Sequence, residues 1–321
     1  MLADHCKKGQ RFIAKTVEDW RVSRPGDVLL YGILRPESSN AGAQLTESTQ
    51  TNAGQADAAQ DVVLVDRRDG IATLTLNRPE KLNALNKKMW RRVAQAMAEL
   101  DADTDLRCVI IRGAGNKAMG PGADIAEFAD QRSNSVQATE YGSLMHAAMG
   151  GVRACRHPVV AMIKGLCVGG ALEIALMCDI RIAGASSRFG IPINRLGLVM
   201  SYPEIEALIE AVGRSVALEI LFEARVFDAA EAKDKGLINR IMPDDGVEAE
   251  AWATAERIAA GAPLVNRWHK AFANRLAQGT GPANPLSDAE KAEGFACFDT
   301  EDFRSGFQAF LDKTKPEFRG N

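Results

Sequence analysis

Two glycine-rich segments each follow an apolar run and lead into a predicted helix: residues 113–125 (GAGNKAMGPGADI) and residues 165–173 (GLCVGGALE). A helix N-terminus presents unpaired N–H groups and a partial positive charge, and glycine lets a ligand approach that backbone closely. Two such N–H groups directed at one oxygen form an oxyanion hole, in which each donor contributes about 3–4 kcal/mol. Either segment alone would also fit a simple packing turn, because glycine-rich turns between strands and helices are common.

An acidic side chain accompanies the second segment. Glu173 lies about one turn into the helix predicted to begin at Gly170. There it could hold or deprotonate a water molecule next to the two N–H groups. A surface or ion-paired glutamate is the alternative, but the neighbouring residues of this helix are alanine, leucine and isoleucine, which argues against full exposure.

The elements that must position these residues alternate between strands and helices in the first part of the chain. Strands are predicted over residues 62–65, 71–76, 108–111, 158–163, 179–183 and 237–242. Helices are predicted over residues 87–103, 136–154 and 171–177, from about Ala123, and over most of the chain beyond 203. Asp69-Gly70 is a hairpin signal, and residues 165–170 are predicted to form a loop. This order predicts an α/β fold followed by a helical segment.

Composition excludes several classes of protein. The 321 residues are 46% hydrophobic and 25% charged, and the net charge is −3, which gives no reason to expect nucleic acid or an anionic membrane as the partner. The six cysteines form no C-x-x-C pair and the four histidines show no metal-ligand spacing, so we expect free thiols and no metal site. No apolar run is long enough to span a membrane, and a cytoplasmic location is the default expectation.

Residues 1–60 differ from the rest of the chain. Residues 38–60 are small and polar with Leu45 as the only large apolar side chain, a composition that predicts a flexible linker. Residues 11–34 contain enough apolar side chains to form a small docked element. We interpret 1–60 as an N-terminal extension and linker, either a poorly ordered extension or a partner-binding arm.

Five segments resemble the enoyl-CoA hydratase/isomerase family, also called the crotonase family, in that family's order over residues 61–320. They read NRPEKLNALN (77–86), MGPGADI (119–125), KGLCVGGALEIALMCDI (164–180), EILFEARVFDAAEAKDKGLIN (219–239) and TEDFRSGFQAFLDKTKPEFRG (300–320). The resemblance implies a crotonase-like spiral of ββα units over 61–260 and a helical C-terminal trimerisation region over 261–321. It also implies a homotrimer or a dimer of trimers. The substrate would be an acyl-CoA thioester, with no separate cofactor because coenzyme A is part of the substrate.

The resemblance also assigns the site residues. The oxyanion donors would be the N–H groups of Ala123 and Gly170, with Glu173 matching the first of the two catalytic glutamates of the hydratases. The segment from Lys81 to Ala84 would line the adenine and pantetheine side of the coenzyme A cleft. The substrate-binding residues would be Lys81, Leu82, Ala84, Gly122, Ala123, Asp124, Ile125, Leu166, Gly169 and Gly170.

The sequence departs from the family at the second glutamate. The segment 189–194 reads FGIPIN and places Ile193 at that position, where no proton can be transferred. Hydration calls for a base for water and an acid for carbon, so the departure questions standard hydratase chemistry, and questions double-bond isomerisation more. A thioester hydrolase, a carbon–carbon bond-cleaving member, or a non-catalytic acyl-CoA-binding protein are therefore alternatives to an enoyl-CoA hydratase.

The loop after Ile193 offers three substitutes for the missing group. It is glycine-rich in the family but reads LVMSYPE over 198–204 here. Glu204 or Glu206 could supply a carboxylate from the next turn, although capping or decorating the helix that starts near Pro203 is the simpler interpretation. Tyr202 could donate a proton, or it could simply pack.

Overall fold

The computed structural model describes residues 61–321, so the predictions for residues 1–60 lie outside the described part of the chain. Two sheets organise the described part. The larger sheet contains β1 (Val63–Arg68), β2 (Ile71–Leu76), β3 (Cys108–Gly113), β5 (Val159–Ile163), β7 (Ile180–Gly184) and β10 (Arg240–Met242), in that spatial order. The smaller sheet contains β4 (Ala118–Gly120), β6 (Leu166–Val168), β8 (Arg188–Gly190) and β9 (Phe227–Asp228).

The two sheets are built together as the chain advances. Each of β3, β5 and β7 joins the larger sheet in parallel, and the strand that follows it, β4, β6 or β8, joins the smaller sheet in parallel. The chain thus adds one strand to both sheets at every step, which confirms the predicted ββα spiral. The loop predicted over 165–170 is wrong in part, because β6 occupies its middle.

The hairpin predicted at Asp69-Gly70 is confirmed. β1 and β2 pair antiparallel with Arg68 opposite Ile71, and both turn residues have positive φ, +51° for Asp69 and +72° for Gly70. A two-residue turn with two positive φ values matches the twist of the strands that it joins. The turn therefore fixes the register that places the apolar face of β2 in the core.

Helices cover both faces of the larger sheet. The described helices are α1 (Lys87–Ala102), α2 (Phe128–Gln131), α3 (Ser135–Ala154), α4 (Gly170–Leu176), α5 (Tyr202–Glu223), α6 (Ala229–Asp234), α7 (Val247–Ala259), α8 (Pro263–Ala277), α9 (Asp288–Glu293) and α10 (Glu301–Asp312). Val109 and Ile111 of β3 face the main core, whereas Ile110 faces a second cluster that includes Val247 of α7. A sheet covered on both faces reads as a continuous apolar run, which is the pattern of β3.

The helical periodicity of α1 correctly predicted its buried face. Met89, Trp90, Val93, Met97 and Leu100 are all fully buried. The helix begins where the Asn86 side chain accepts a hydrogen bond from the Met89 N–H at 2.9 Å, a cap that satisfies one of the free N–H groups. The buried face of α1 packs against α3 and brings the Trp90 ring next to Gly170 at the start of α4.

From residue 261 onward the described secondary structure is helical, as predicted for the C-terminal region. α10 exposes Phe303, Phe307 and Phe310, and the Phe303 ring lies 4.9 Å from that of Phe298, between ring centroids. No helix within residues 61–321 combines the length and apolar character that crossing a membrane requires.

Candidate active site

The two glycine-rich turns touch each other. Gly122 has a φ of +103°, a value that side chains rarely permit. A Cβ atom at this position would lie 3.2 Å from the Val168 carbonyl oxygen and 3.4 Å from the Gly170 nitrogen. Glycine is therefore needed at 122 both for its backbone angle and for the close approach, and the two predicted donor segments are in direct contact.

Ala123 lies in extended backbone, so the prediction that a helix begins there is wrong. It bridges to Leu85: the Leu85 N–H donates to the Gly122 carbonyl and the Asp124 N–H donates to the Leu85 carbonyl, both at 2.8 Å. Because successive peptide groups of an extended chain face opposite sides, the Ala123 N–H faces away from Leu85. It has no backbone acceptor among residues 61–321.

The helical structure after Ala123 begins later than predicted and is short. A 3₁₀ turn spans Ile125–Glu127 and is followed by α2. The Asp124 side chain starts the turn by accepting a hydrogen bond from the Ala126 N–H at 3.2 Å. The helix begins later than predicted because the Gly122 carbonyl and the Asp124 N–H are already hydrogen-bonded to Leu85, which holds Ala123 in an extended conformation.

Gly170 is the first residue of α4, where an N–H has no acceptor within the helix. No backbone acceptor reaches it from elsewhere in the described chain. Gly169, which precedes it, has a φ of +53°. A Cβ at Gly170 would lie 3.1 Å from Leu85 Cδ1 and 3.2 Å from Trp90 Cζ2. The donor at 170 is therefore closely packed from below by Leu85 and Trp90.

Glu173 is buried in the first turn of α4, with only 6% of its surface exposed. Burial, followed by the negative charge of Glu204, raises the pKa of Glu173 to about 8, and the positive charge of Arg132 acts in the opposite direction. A carboxyl group without water disfavours its charged form. Glu173 consequently carries a proton at neutral pH, a state suited to proton donation.

The raised pKa predicts a dependence of stability on pH. The folded-state pKa of about 8 lies above the ordinary value of 4.5, so the native state holds the proton longer and stability falls as pH rises from about 4.5 to 8. We expect Glu173→Gln to raise the free energy of unfolding by roughly a few kcal/mol at pH 8.5. At pH 5, where Glu173 is protonated, we expect a much smaller increase. Urea unfolding at the two pH values checks this, with the exposed Glu206→Gln as control. An equal gain at both pH values would contradict it.

Segment 78–85 connects the two sides of the site through residues that sequence reasoning missed. Asn83 is 1% exposed, and its Nδ2 donates to the carbonyls of Ala114 at 3.0 Å and Ala118 at 2.8 Å. Its Oδ1 accepts from the Arg78 N–H at 3.0 Å. The repeated asparagines of NRPEKLNALN were the signal, since buried amides serve as cross-links between loops.

Removing this cross-link is expected to destabilise the fold. Asn83→Ala leaves the buried Ala118 carbonyl, the partly buried Ala114 carbonyl and the Arg78 N–H without this partner, at a cost of about 2–4 kcal/mol. Asn116→Ala, in the same loop region but exposed, is the matched control and is expected to change stability by less than about 0.5 kcal/mol. Thermal or urea unfolding measures both, and similar losses in the two variants would argue against the cross-link.

Arg78 also holds Asp124. The Arg78 Nη1 lies 2.6 Å from the Ala84 carbonyl oxygen and 3.0 Å from Asp124 Oδ2. The side chain of Asp124, predicted to line the acyl pocket, is thus engaged in an ion pair and in the 3₁₀ turn. Its contribution to the site is to fix the backbone that follows Ala123.

The remaining predicted binding residues lie around the same turns. Lys81 and Ile125 are exposed, Leu82 has a φ of +52°, Ala84 is buried, and Leu166 pairs with Ala118 in the smaller sheet. Exposed and half-buried residues of the predicted binding set thus lie beside the buried turns at Gly122 and Gly170.

Ile193 lies in a 3₁₀ helix, Pro192–Leu196, and packs partly buried against the main core. Among the substitutes, Glu206 is exposed and Tyr202 is 92% exposed. Glu204 is the exception, being 5% exposed. The Ser201 N–H and hydroxyl both donate to its Oε2, which confirms the predicted capping role and adds a burial that sequence reasoning missed.

Comparisons with known proteins find relatives that match most of this chain. The family model described as enoyl-CoA hydratase/isomerase matches residues 66–321. A Mycobacterium tuberculosis protein named a probable enoyl-CoA hydratase is 35% identical over 261 residues, covering 80% of this chain and 98% of the relative. The crotonyl-CoA hydratase of Syntrophomonas wolfei is 33% identical, with 81% and 98% covered. A solved structure of an enoyl-CoA hydratase/carnithine racemase from Magnetospirillum magneticum is 49% identical with a TM-score of 0.79, over 82% of this chain and 97% of that one.

Proposed function

Because this chain belongs to the enoyl-CoA hydratase/isomerase family, we propose that it adds water across the double bond of an enoyl-CoA thioester. The observation that carries the proposal is the contact between the turns at Gly122 and Gly170 above a buried glutamate, Glu173. Such an arrangement suits a reaction in which negative charge develops on a carbonyl oxygen while a proton moves nearby.

The two N–H groups of Ala123 and Gly170 would stabilise that charge. Both lack backbone acceptors in the described chain, and the turns that carry them are in van der Waals contact. A thioester oxygen between them gains hydrogen bonds that strengthen as the enolate forms, because the donors are already oriented and need not reorganise. The Leu85 bridge and the packing of Trp90 support this orientation from below.

Glu173 would supply the proton to the α-carbon. It lies one turn beyond the Gly170 donor, and its pKa of about 8 leaves it protonated at neutral pH. A donor whose pKa lies near the working pH transfers a proton and regains it with similar ease. In the reverse reaction, dehydration, the ionised Glu173 would remove the same proton.

The acyl-CoA would approach from the side of segment 81–84, where Lys81 is exposed. Coenzyme A is part of the substrate, so the proposed reaction uses no separate cofactor. A homotrimer, or a dimer of trimers, would bury the aromatic residues that α10 exposes. The cytoplasmic location stays a prediction.

The proposal is tested by mixing the wild-type protein with crotonyl-CoA or with a long-chain enoyl-CoA and measuring the decrease in enoyl absorbance. We expect hydration of at least one of them, with formation of the 3-hydroxyacyl-CoA. Ile193 favours a second candidate, a thioester hydrolase that needs only one carboxylate and the oxyanion hole. Release of free coenzyme A without a 3-hydroxy product would support the hydrolase instead. Calorimetric binding of coenzyme A without turnover of any acyl-CoA would support a non-catalytic binding protein.

A further inference from the structure

A second buried carboxylate lies near Glu173. Glu204, in the first turn of α5, is almost as buried as Glu173, and its negative charge is the second cause of the raised pKa of Glu173. Glutamates are rarely this buried unless they are paired or take part in a site. The charge of Glu204 acts on Glu173, and position 193 holds an isoleucine in place of a carboxylate. These observations suggest that Glu204 does more than cap α5.

Two residues, Ser201 and His146, hold the Glu204 carboxylate. Ser201 donates two hydrogen bonds to Oε2, and His146 Nε2 of α3 lies 3.2 Å from Oε1 and 2.8 Å from Ser201 Oγ. With the Ser201 hydroxyl donating to Glu204, hydrogen bonds from His146 to both oxygens require the tautomer that carries its proton on Nε2. A carboxylate accepts at about four positions, so three donors leave one for a water molecule.

Helix capping alone does not explain this arrangement. A glutamate that closes a capping box needs only the N–H of the N-cap residue, and on an ordinary helix it remains in solvent. Here it is buried against a different helix and is joined by an imidazole. His146 is half exposed, so it lies between the buried carboxylate and solvent.

We propose that Glu204 is the second proton-transfer group of the site, acting in place of the carboxylate absent at position 193, with His146 and Ser201 as positioning residues. This rests on the proposed function. Glu204 takes one proton from water while the water oxygen bonds to the β-carbon. The π electrons of the double bond move to the thioester oxygen as the enolate forms. The enolate then returns to the carbonyl as the α-carbon takes the proton of Glu173.

After this step Glu204 holds the proton of water and Glu173 is ionised, so a proton must pass back for the next turnover. Glu204 releases its proton to solvent at the exposed edge of His146, and Glu173 regains one. The charged and titratable groups placed against Glu204 are His146 of α3, whose Nε2 lies 3.2 Å from Oε1, and Glu173 of α4, whose pKa is raised by the charge of Glu204. In this proposal Glu173 is the acid and Glu204 is the base of the reaction.

Hydration kinetics of Glu204→Gln test the proposal, because the amide still accepts the cap hydrogen bond from Ser201 but takes no proton. We expect kcat to fall at least 10²-fold with KM within about 3-fold of wild type, while Glu206→Gln on the same turn leaves both unchanged. His146→Gln, which keeps a donor toward Glu204, is expected to lower kcat about 10-fold and to leave KM within about 3-fold of wild type. It is also the second variant if Glu204→Gln does not fold.

The outcomes separate the two proposals. An active wild type together with a Glu204→Gln or His146→Gln variant of unchanged kcat would overturn the assignment of Glu204 alone. Absence of any acyl-CoA turnover in the wild type would overturn the proposed function and this assignment with it. A fall in kcat that tracks a loss of folded protein in thermal unfolding would also overturn it, because a cap alone would cause that.

Discussion

Gly122→Ala is expected to lower kcat for enoyl-CoA hydration by at least 10²-fold, comparable to the loss of one oxyanion donor. The new Cβ would lie 3.4 Å from the Gly170 nitrogen and 3.2 Å from the Val168 carbonyl oxygen. It would therefore separate the turns that carry the two N–H groups. With an alanine side chain, the φ of +103° also strains the backbone of the residue that directly precedes the Ala123 N–H. Steady-state kinetics on the best enoyl-CoA substrate measures the effect.

Gly115→Ala is the matched control for backbone strain. Gly115 also has a positive φ, +73°, in the same segment, but a Cβ there meets nothing within 4 Å. Gly115→Ala adds a conformational penalty of about 1–2 kcal/mol without a new contact, so it shows how much activity is lost through a positive φ alone. We expect kcat of Gly115→Ala to stay within about 3-fold of wild type. Equal losses in the two variants would contradict the oxyanion role of the Gly122 turn.

Glu173→Gln is expected to lower kcat by about 10³-fold, within the range attributed to acid–base catalysis. The amide keeps the size and polarity of the side chain but has no proton to give to the α-carbon. KM should change little, because the oxyanion turns and the coenzyme A side of the site stay in place. Rapid-quench or absorbance kinetics on an enoyl-CoA measures kcat and KM separately.

The dependence of the hydration rate on pH distinguishes a proton donor from a base at Glu173. If protonated Glu173 donates the proton, hydration by the wild type falls as pH rises through its pKa of about 8, because the donor form is lost. Removal of the positive charge in Arg132→Met should move that fall to higher pH, since Arg132 lowers the pKa of Glu173. A rate that rises through pH 8 in the wild type would instead make Glu173 the base and would contradict its role as donor.

Much of the framework follows from local sequence. The apolar spacing of α1, the Asp69-Gly70 turn and the apolar run of β3 each specify one element, because a short-range period or a turn residue decides the geometry there. The sequence also marked the two glycine turns, since glycine occurs where backbone segments approach closely, and the structure places these turns in contact. These features depend on residues that are near one another in the chain.

The missed features depend on distant residues. Strands β4, β6 and β8 contain three residues each, too few for a period to be visible, and only pairing between distant segments creates them. The helix predicted from Ala123 was displaced because Leu85, nearly forty positions earlier, claims the amides on both sides of it. Local propensity is weak enough for such pairing to override it.

The sequence by itself determined the α/β order, the family, and which glycines and which glutamate could do chemistry, since those depend on residue type and short spacing. Only the tertiary structure decided that the turns at Gly122 and Gly170 touch and that Ala123 is extended. It alone also placed Glu204 of α5 near Glu173 of α4, with His146 of α3 beside it. The physical reason is that burial and the pKa of a carboxyl group are set by neighbours in space, whichever part of the chain supplies them.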